Sequence, residues 1–223
     1  MENRILLIDK PAGMTSFGVV ARIRRVLSED PQYAGGKKVK VGHTGTLDPF
    51  ATGLMILVIG KECKNAAKYS KLDKAYEATI HLGQTSSTAD PEGEMTKISD
   101  KKPNHQEVKS ILDRFVGEIS QRPPIYSAIK VDGQRAYSLA RKGQVVEIPK
   151  RQITIYSLDL INYKYPEIKI RVHVSSGTYI RSLAEDIGKA LGVGAYCKQL
   201  RRTEISNWRV KDARKLSDFG IDS

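Results

Sequence analysis

A chain of 223 residues, 40% hydrophobic and 28% charged, is long enough to bury its own core and too apolar to be disordered throughout. Two distant cysteines, Cys63 and Cys197, exclude a disulfide framework, and the absence of a leader or of a run of about 20 apolar residues points to a soluble cytoplasmic protein. Thirty-seven Lys and Arg against 25 Asp and Glu leave a net charge of +12, an excess that attracts polyanions, nucleic acid first. The cations recur in short clusters along the chain, such as "RIRR" (22–25), "KKVK" (37–40), "PKR" (149–151) and "LRR" (200–202), which suits a folded surface tracking phosphates better than a disordered arm.

"ILLID" (5–9) reads as a buried strand. "KPAGMTS" (10–16) is a turn in which Thr15 or Ser16 caps a helix carrying Val19, Val20, Ile23 and Leu27 on one face. Residues 28–41 read as a loop, and "LMILVIG" (54–60) as a second buried strand, followed by a helix over 61–72. In "KAYEATIHLG" (74–83) strict alternation sets Tyr76, Ala78, Ile80 and Leu82 on one face and Glu77, Thr79 and His81 on the other.

The polar stretch 84–94 reads as a loop. Asn104 and Glu107 form a capping-box pattern ahead of a stripe of Val108, Ile111, Leu112 and Phe115, predicting a helix over 104–117. Residues 121–144 mix prolines, aromatics, cations and a hairpin-like Asp132-Gly133, the composition of an exposed, structured insertion. Strands are predicted over 151–161, 167–175 and 195–205, with a helix over 177–192 between the last two. Strands and helices mingle without regular alternation, so the predicted class is α+β with a mixed, mostly antiparallel central sheet flanked by helices.

Common chemical signatures fail. "GMTSFG" (13–18) has the glycine spacing of a phosphate loop but lacks its Lys and Ser/Thr. "GVGAYC" (192–197) has two dinucleotide-loop glycines but follows a helix. The four histidines show no ligand spacing, so no metal is expected. What remains is "GHTGTLDPFATG" (42–53), a glycine-rich loop with one carboxylate, Asp48, stiffened by Pro49. Such a loop holds a nucleophile or base at fixed geometry. Asp-Pro is also a common turn starter, and on the loop alone a turn cap is the simpler reading.

This loop resembles the signature of the TruB-type pseudouridine synthase family, and so, in order and spacing, do "KPAGMTS" (10–16), "DKAYEATIHLGQTSSTAD" (73–90), "PPIYSAIKVDGQRAYSLARKG" (123–143), "SSGTYIRSLAEDIG" (175–188) and "LRRT" (200–203). The resemblance implies a pseudouridine synthase-type fold over 1–223 with a thumb-like insertion at about 123–151. It implies an isomerase that turns the T-loop uridine of tRNA, position 55, into pseudouridine after flipping the base out. Asp48 is the implied catalytic residue, Arg181 its partner, and Tyr76 the platform under the uracil. Leu200 matches a pocket wall, Tyr179 packs beneath the site, and His43 helps fill the space left by the flipped base. Lys10 is structural or RNA-contacting. Lys130, Arg141 and Arg202 are further candidate RNA contacts, with Arg135, Lys142, Lys150 and Arg151 in the same insertion.

No cofactor is implied, because the isomerisation adds and removes nothing. The expected partner is the tRNA T-stem loop, with no membrane and no obligate protein partner, the chain acting as a monomer. Relatives commonly continue into a PUA-type RNA-binding domain for which this sequence shows no room. A non-catalytic RNA-binding or tRNA-remodelling protein on the same scaffold is the alternative reading. It leaves unexplained why a carboxylate would face a polyanion.

Overall fold

A computed structural model describes residues 4–30, 38–125, 127, 130–131, 134–135 and 148–222. Its contacts group into two compact units, one formed by residues up to Tyr76 together with those from Arg201 onward, the other by Glu77–Leu200.

The first unit is organised by β3 (Thr52–Ile59), whose unbroken apolar run marks a strand covered on both faces. Leu54, Met55, Leu57 and Val58 have no exposed surface at all. Each such side chain is worth about 1.5–3 kcal/mol relative to exposure. β1 (Arg4–Lys10) pairs with β3 antiparallel along its whole length, from Arg4 opposite Ile59 to Lys10 opposite Gly53. The other edge of β3 is shared. β2 (Val41–His43) pairs antiparallel with its last three residues, and Arg201 and Arg202 of β12 (Ala195–Ile205) pair parallel with Thr52 and Gly53. Leu54, Ile56 and Ile205 form a core cluster that Leu7, Leu72, Trp208 and Val210 cover. Trp208 belongs to a short strand, β13 (Trp208–Arg209), paired with β12.

Helix α1 (Ser16–Glu29) starts where the sequence placed it, with Thr15 accepting a hydrogen bond from the Gly18 amide. It buries Val19, Val20, Ile23 and Leu27. The predicted 61–72 helix divides into a 3-10 segment, Gly60–Asn65, and a short α2 (Ala66–Ser70).

In the second unit the strands lie in the order β12, β4 (Lys74–Leu82), β11 (Glu167–Val174), β10 (Arg151–Lys164), β7 (Gly117–Gln121). β10 pairs antiparallel with both β11 and β7. Ile168, Ile170, Val172 and Val174 point inward from β11 while Lys169, Arg171 and His173 are exposed, the period-2 pattern of a sheet with one wet face. Helix α3 (His105–Asp113) carries the expected capping box: the Asn104 side chain accepts from the Glu107 amide at 2.9 Å, and the Glu107 carboxylate accepts from the Asn104 amide at 2.6 Å. It stops two residues short of Phe115. Helix α4 (Ile180–Ala190) ends before Gly192, whose φ of +71° suits glycine.

Five short strands were not predicted: β2, β7, β13, and the pair β5 (Gln84–Ser86) and β6 (Met95–Lys97), a hairpin that begins in the stretch 84–94 read as a loop and ends just beyond it. In the 123–151 insertion, β8 (Lys130–Val131) and β9 (Gln134–Arg135) pair antiparallel on either side of Asp132-Gly133. Residues 136–147 of the expected thumb, including Arg141 and Lys142, lie outside the described residues, as do the side chains of Lys130 and Arg135, whereas Lys150 and Arg151 are exposed.

No disulfide joins Cys63 and Cys197. Among the described residues no helix is long and apolar enough to cross a membrane.

Candidate active site

Asp48 sits half-buried in the loop that fills the edge of β3 between its pairing with β2 and its pairing with β12. The chain leaves that edge after Thr44, whose amide donates to the Ile56 carbonyl at 3.2 Å, and rejoins it at Thr52. Between those points the loop is gripped from three directions. The Ser16 hydroxyl, at the start of α1, donates to the Leu47 carbonyl and accepts from the Leu47 amide, both at 2.8 Å. The Lys10 ammonium donates to the Pro49 carbonyl at 3.2 Å, and to those of Pro11 and Met14 at 2.8 and 2.6 Å, while the Gly13 amide donates to Pro49 at 2.9 Å. Arg202 donates through Nε to the Leu54 carbonyl at 2.7 Å and through Nη2 to the Gly45 carbonyl at 3.1 Å. A carboxylate on an otherwise unstructured loop is thereby held at fixed geometry, which is the requirement for a reacting group.

The sequence left Lys10 as structural or RNA-contacting and made Arg202 a candidate RNA contact. They are 0% and 1% exposed, and both donate to backbone carbonyls of the Asp48 loop and its neighbours, which is the structural alternative for Lys10 and a correction for Arg202. Charged residue type is visible in a sequence, whereas its burial is set by strands brought together from some 150 residues away. Arg201 likewise turns to the protein, forking onto the Asp9 carboxylate at 2.7 and 3.1 Å and ordering β1 against β12. Gly53 makes that packing possible. Its φ is +106°, and a Cβ there would lie 2.3 Å from the Arg202 carbonyl oxygen.

His43 leads into the loop at the end of β2, and Lys74 reaches it, its Cε lying 3.8 Å from where a Cβ on Gly45 would sit. Burial first, and the Arg202 charge second, hold the His43 pKa below its usual 6.5, so the imidazole is neutral at pH 7. Its Nδ1 is buried with no hydrogen-bond partner among the described residues. Lys74, which the sequence did not single out, is 8% exposed, donates to the Ser70 and Leu72 carbonyls, and has its pKa lowered to about 8 by burial and by Arg202. Tyr76 is 7% exposed on the face of β4 that the alternation assigned to the interior.

In the second unit Arg181 is buried at the start of α4. Its Nη1 donates to the Asp90 carboxylate at 3.0 Å and to the Thr88 carbonyl at 2.9 Å. Asp90 also accepts from the Thr88 hydroxyl at 2.5 Å and the Glu92 amide at 3.0 Å. The Gln121 side chain fixes the helix start through paired hydrogen bonds with the Tyr179 amide and carbonyl, at 2.8 and 3.1 Å. Asp90 and Gln121 escaped the sequence reading. The one available signal was the lone carboxylate in the Ser/Thr-rich "TSSTAD". Leu200 is buried in β12.

Residues 33–180 match the family model described as TruB family pseudouridylate synthase (N terminal domain), and residues 181–220 match that of the tRNA pseudouridylate synthase B C-terminal domain. The chain belongs to the TruB family. Among its curated relatives, the tRNA pseudouridine synthase B of Phocaeicola vulgatus is 45% identical, the match covering 98% of this chain and 92% of the relative. The Aquifex aeolicus protein of the same name is 44% identical over 96% of this chain and 72% of its own. A chain in the crystal structure of a Cbf5–Nop10–Gar1 complex superposes with a TM-score of 0.72 at 29% identity. That match takes in 96% of this chain and 52% of the other, so the protein spans about half the length of that structural relative. TruB members are isomerases acting on RNA, and the pseudouridine synthase fold expected from the motifs is the one found.

Proposed function

We propose that this TruB-family chain isomerises a uridine of tRNA to pseudouridine, and that the uridine is the one at position 55 of the T loop. The reading rests on the Asp48 loop: a single half-buried carboxylate, fixed by Lys10, Ser16 and Arg202, in a chain whose relatives are tRNA pseudouridine synthases. The target base is flipped out of the folded RNA, which desolvates it and exposes both faces. Asp48, ionised at neutral pH as carboxylates ordinarily are, engages the nucleoside while the N1–C1′ bond breaks. The uracil turns, C5 bonds to C1′, and the C5 proton leaves to solvent as N1 gains one. Composition and oxidation state are unchanged, so the reaction consumes no redox partner.

Tyr76 supplies the aromatic platform on which an extruded pyrimidine stacks. His43, kept uncharged, fills space near the loop without adding a second buried cation to that of Arg202. Arg181 is the guanidinium that the resemblance makes the partner of the catalytic aspartate, and Asp90 and Thr88 hold it. Leu200 and Tyr179 supply apolar surface.

The test is to incubate unmodified tRNA transcripts with the purified chain and map pseudouridine along them. A single modified uridine in the T loop is the expected result. Modification elsewhere alone, or none, overturns the assignment.

A further inference from the structure

We propose that Gln121 is a positioning residue for the reaction: its carboxamide fixes the start of α4 and, through it, the place of the Arg181 guanidinium. The inference rests on the part given to Arg181 above. Arg181 is the second residue of α4. The first amides of a helix find no acceptor within it, so a helix by itself holds its first turn weakly. The usual remedy is Ser, Thr, Asp or Asn at the N-cap. Here that position is Tyr179, whose own side chain makes no capping bond among the described residues.

Gln121 supplies what the N-cap lacks, from 58 residues away. Tyr179 is extended, with φ −108° and ψ +114°, so its amide and carbonyl point to the same side. The Gln121 carboxamide meets both: Oε1 accepts from the amide at 2.8 Å and Nε2 donates to the carbonyl at 3.1 Å. Two residues of antiparallel strands exchange the same reciprocal pair, and here a side chain replaces one of the strands. A helical residue points its amide and carbonyl in opposite directions along the axis and could not satisfy a single carboxamide in this way. The contact therefore selects extended backbone at Tyr179 and sets where the helix begins. The same Tyr179 carbonyl accepts from the Leu183 amide at 3.1 Å, the first bond of the helix.

Gln121 is itself held. It ends β7 opposite Arg151 of β10, and it is 1% exposed on the side of β7 that alternation turns inward. An aliphatic side chain would serve there if packing were the only need. A second tie follows at once, because the Ser182 hydroxyl donates to the Arg122 carbonyl at 2.9 Å. Tyr179 and Ser182, on either side of Arg181, are thus bonded to the adjacent residues Gln121 and Arg122, while Asp90 and Thr88 hold the guanidinium. The backbone root of Arg181 and its charged tip are fixed by separate partners. Gln121 acts on turnover through the root.

The test is Gln121→Met, which keeps the volume and removes both bonds, assayed for kcat, for the Kd of tRNA, and for amide hydrogen exchange at Tyr179. The expected result is a kcat lowered by about 10–10²-fold, the loss that a misplacement of up to about 1 Å brings. The Kd stays within a few-fold of wild type, and exchange at Tyr179 is faster. In an Arg181→Lys background the same substitution lowers kcat no further, because the group it positions is gone. Asn104→Ala, which weakens a helix start elsewhere, keeps wild-type kcat. Ser182→Ala cuts only the second tie and gives a smaller loss of kcat, again absent from the Arg181→Lys background, which decides the matter should Gln121→Met fail to fold. Wild-type kcat in both variants overturns the proposal. So does a loss of kcat that is equally large in the Arg181→Lys background, which assigns Gln121 to folding in general. A wild type that binds tRNA and never isomerises it refutes the proposed reaction instead. Faster exchange at Tyr179 in Gln121→Met then still upholds the anchor, and unchanged exchange overturns it.

Discussion

Lys74 donates to two carbonyls while almost wholly enclosed, and Arg202 lies close enough to lower its pKa further; nearby Asp73 opposes that shift only in part. The sign of the consequence is fixed by linkage. The unfolded lysine titrates near 10.5 and the folded one at about 8, so between these values the unfolded chain binds more protons and stability rises with pH. The penalty for the buried ammonium is fully present below pH 8 and fades towards 10.5. Relative to Lys74→Met, wild type is therefore expected to gain stability, by up to about 3 kcal/mol, as urea unfolding is repeated at pH 7, 8.5 and 10. Parallel pH profiles for the two proteins would contradict this placement of the charge. Lys10 and Arg202 show the same economy of burial, with cations enclosed by carbonyls, and in both cases their work is to hold a loop.

Among the elements, α3 offers the cleanest separation of stability from activity. Its Asn104–Glu107 box satisfies two orphan amides reciprocally, and both bonds stay within the helix start. Asn104→Ala is expected to cost about 1 kcal/mol in urea unfolding while leaving turnover unaltered. A neutral effect on stability would show that packing alone sets the helix start. That box was legible in the sequence, as were α1, β3, β4, β11 and β12, because each carries a cap or an apolar period that neighbours do not contradict. β2 was not: three residues running into a glycine-rich stretch have no period, and pairing with β3 alone makes them a strand. β5 and β6 are polar and short, and β7 has one aliphatic side chain, Ile119. The candidate site divides in the same way. Asp48 stood out because its loop is odd in composition. Asp90 and Gln121 did not, because what marks them is a partner 91 or 58 residues away.

At the scale of the whole molecule, the +12 charge is unevenly compensated. Lys97, Lys169, Arg171 and Lys198 in the second unit pair with carboxylates. Several of the cations nearest Asp48 in the sequence motifs face inward, so composition overstated how much positive charge the reacting base would meet and understated how much of it builds the site. What the fold protects is the geometry of one carboxylate. Release of tritium from tRNA labelled at C5 of uridine, compared between wild type and Asp48→Asn, reads that carboxylate's part in the reaction. Turnover is expected to fall by at least about 10²–10⁴-fold while the Kd for tRNA stays within a few-fold of wild type. Wild-type release by Asp48→Asn would contradict the assignment.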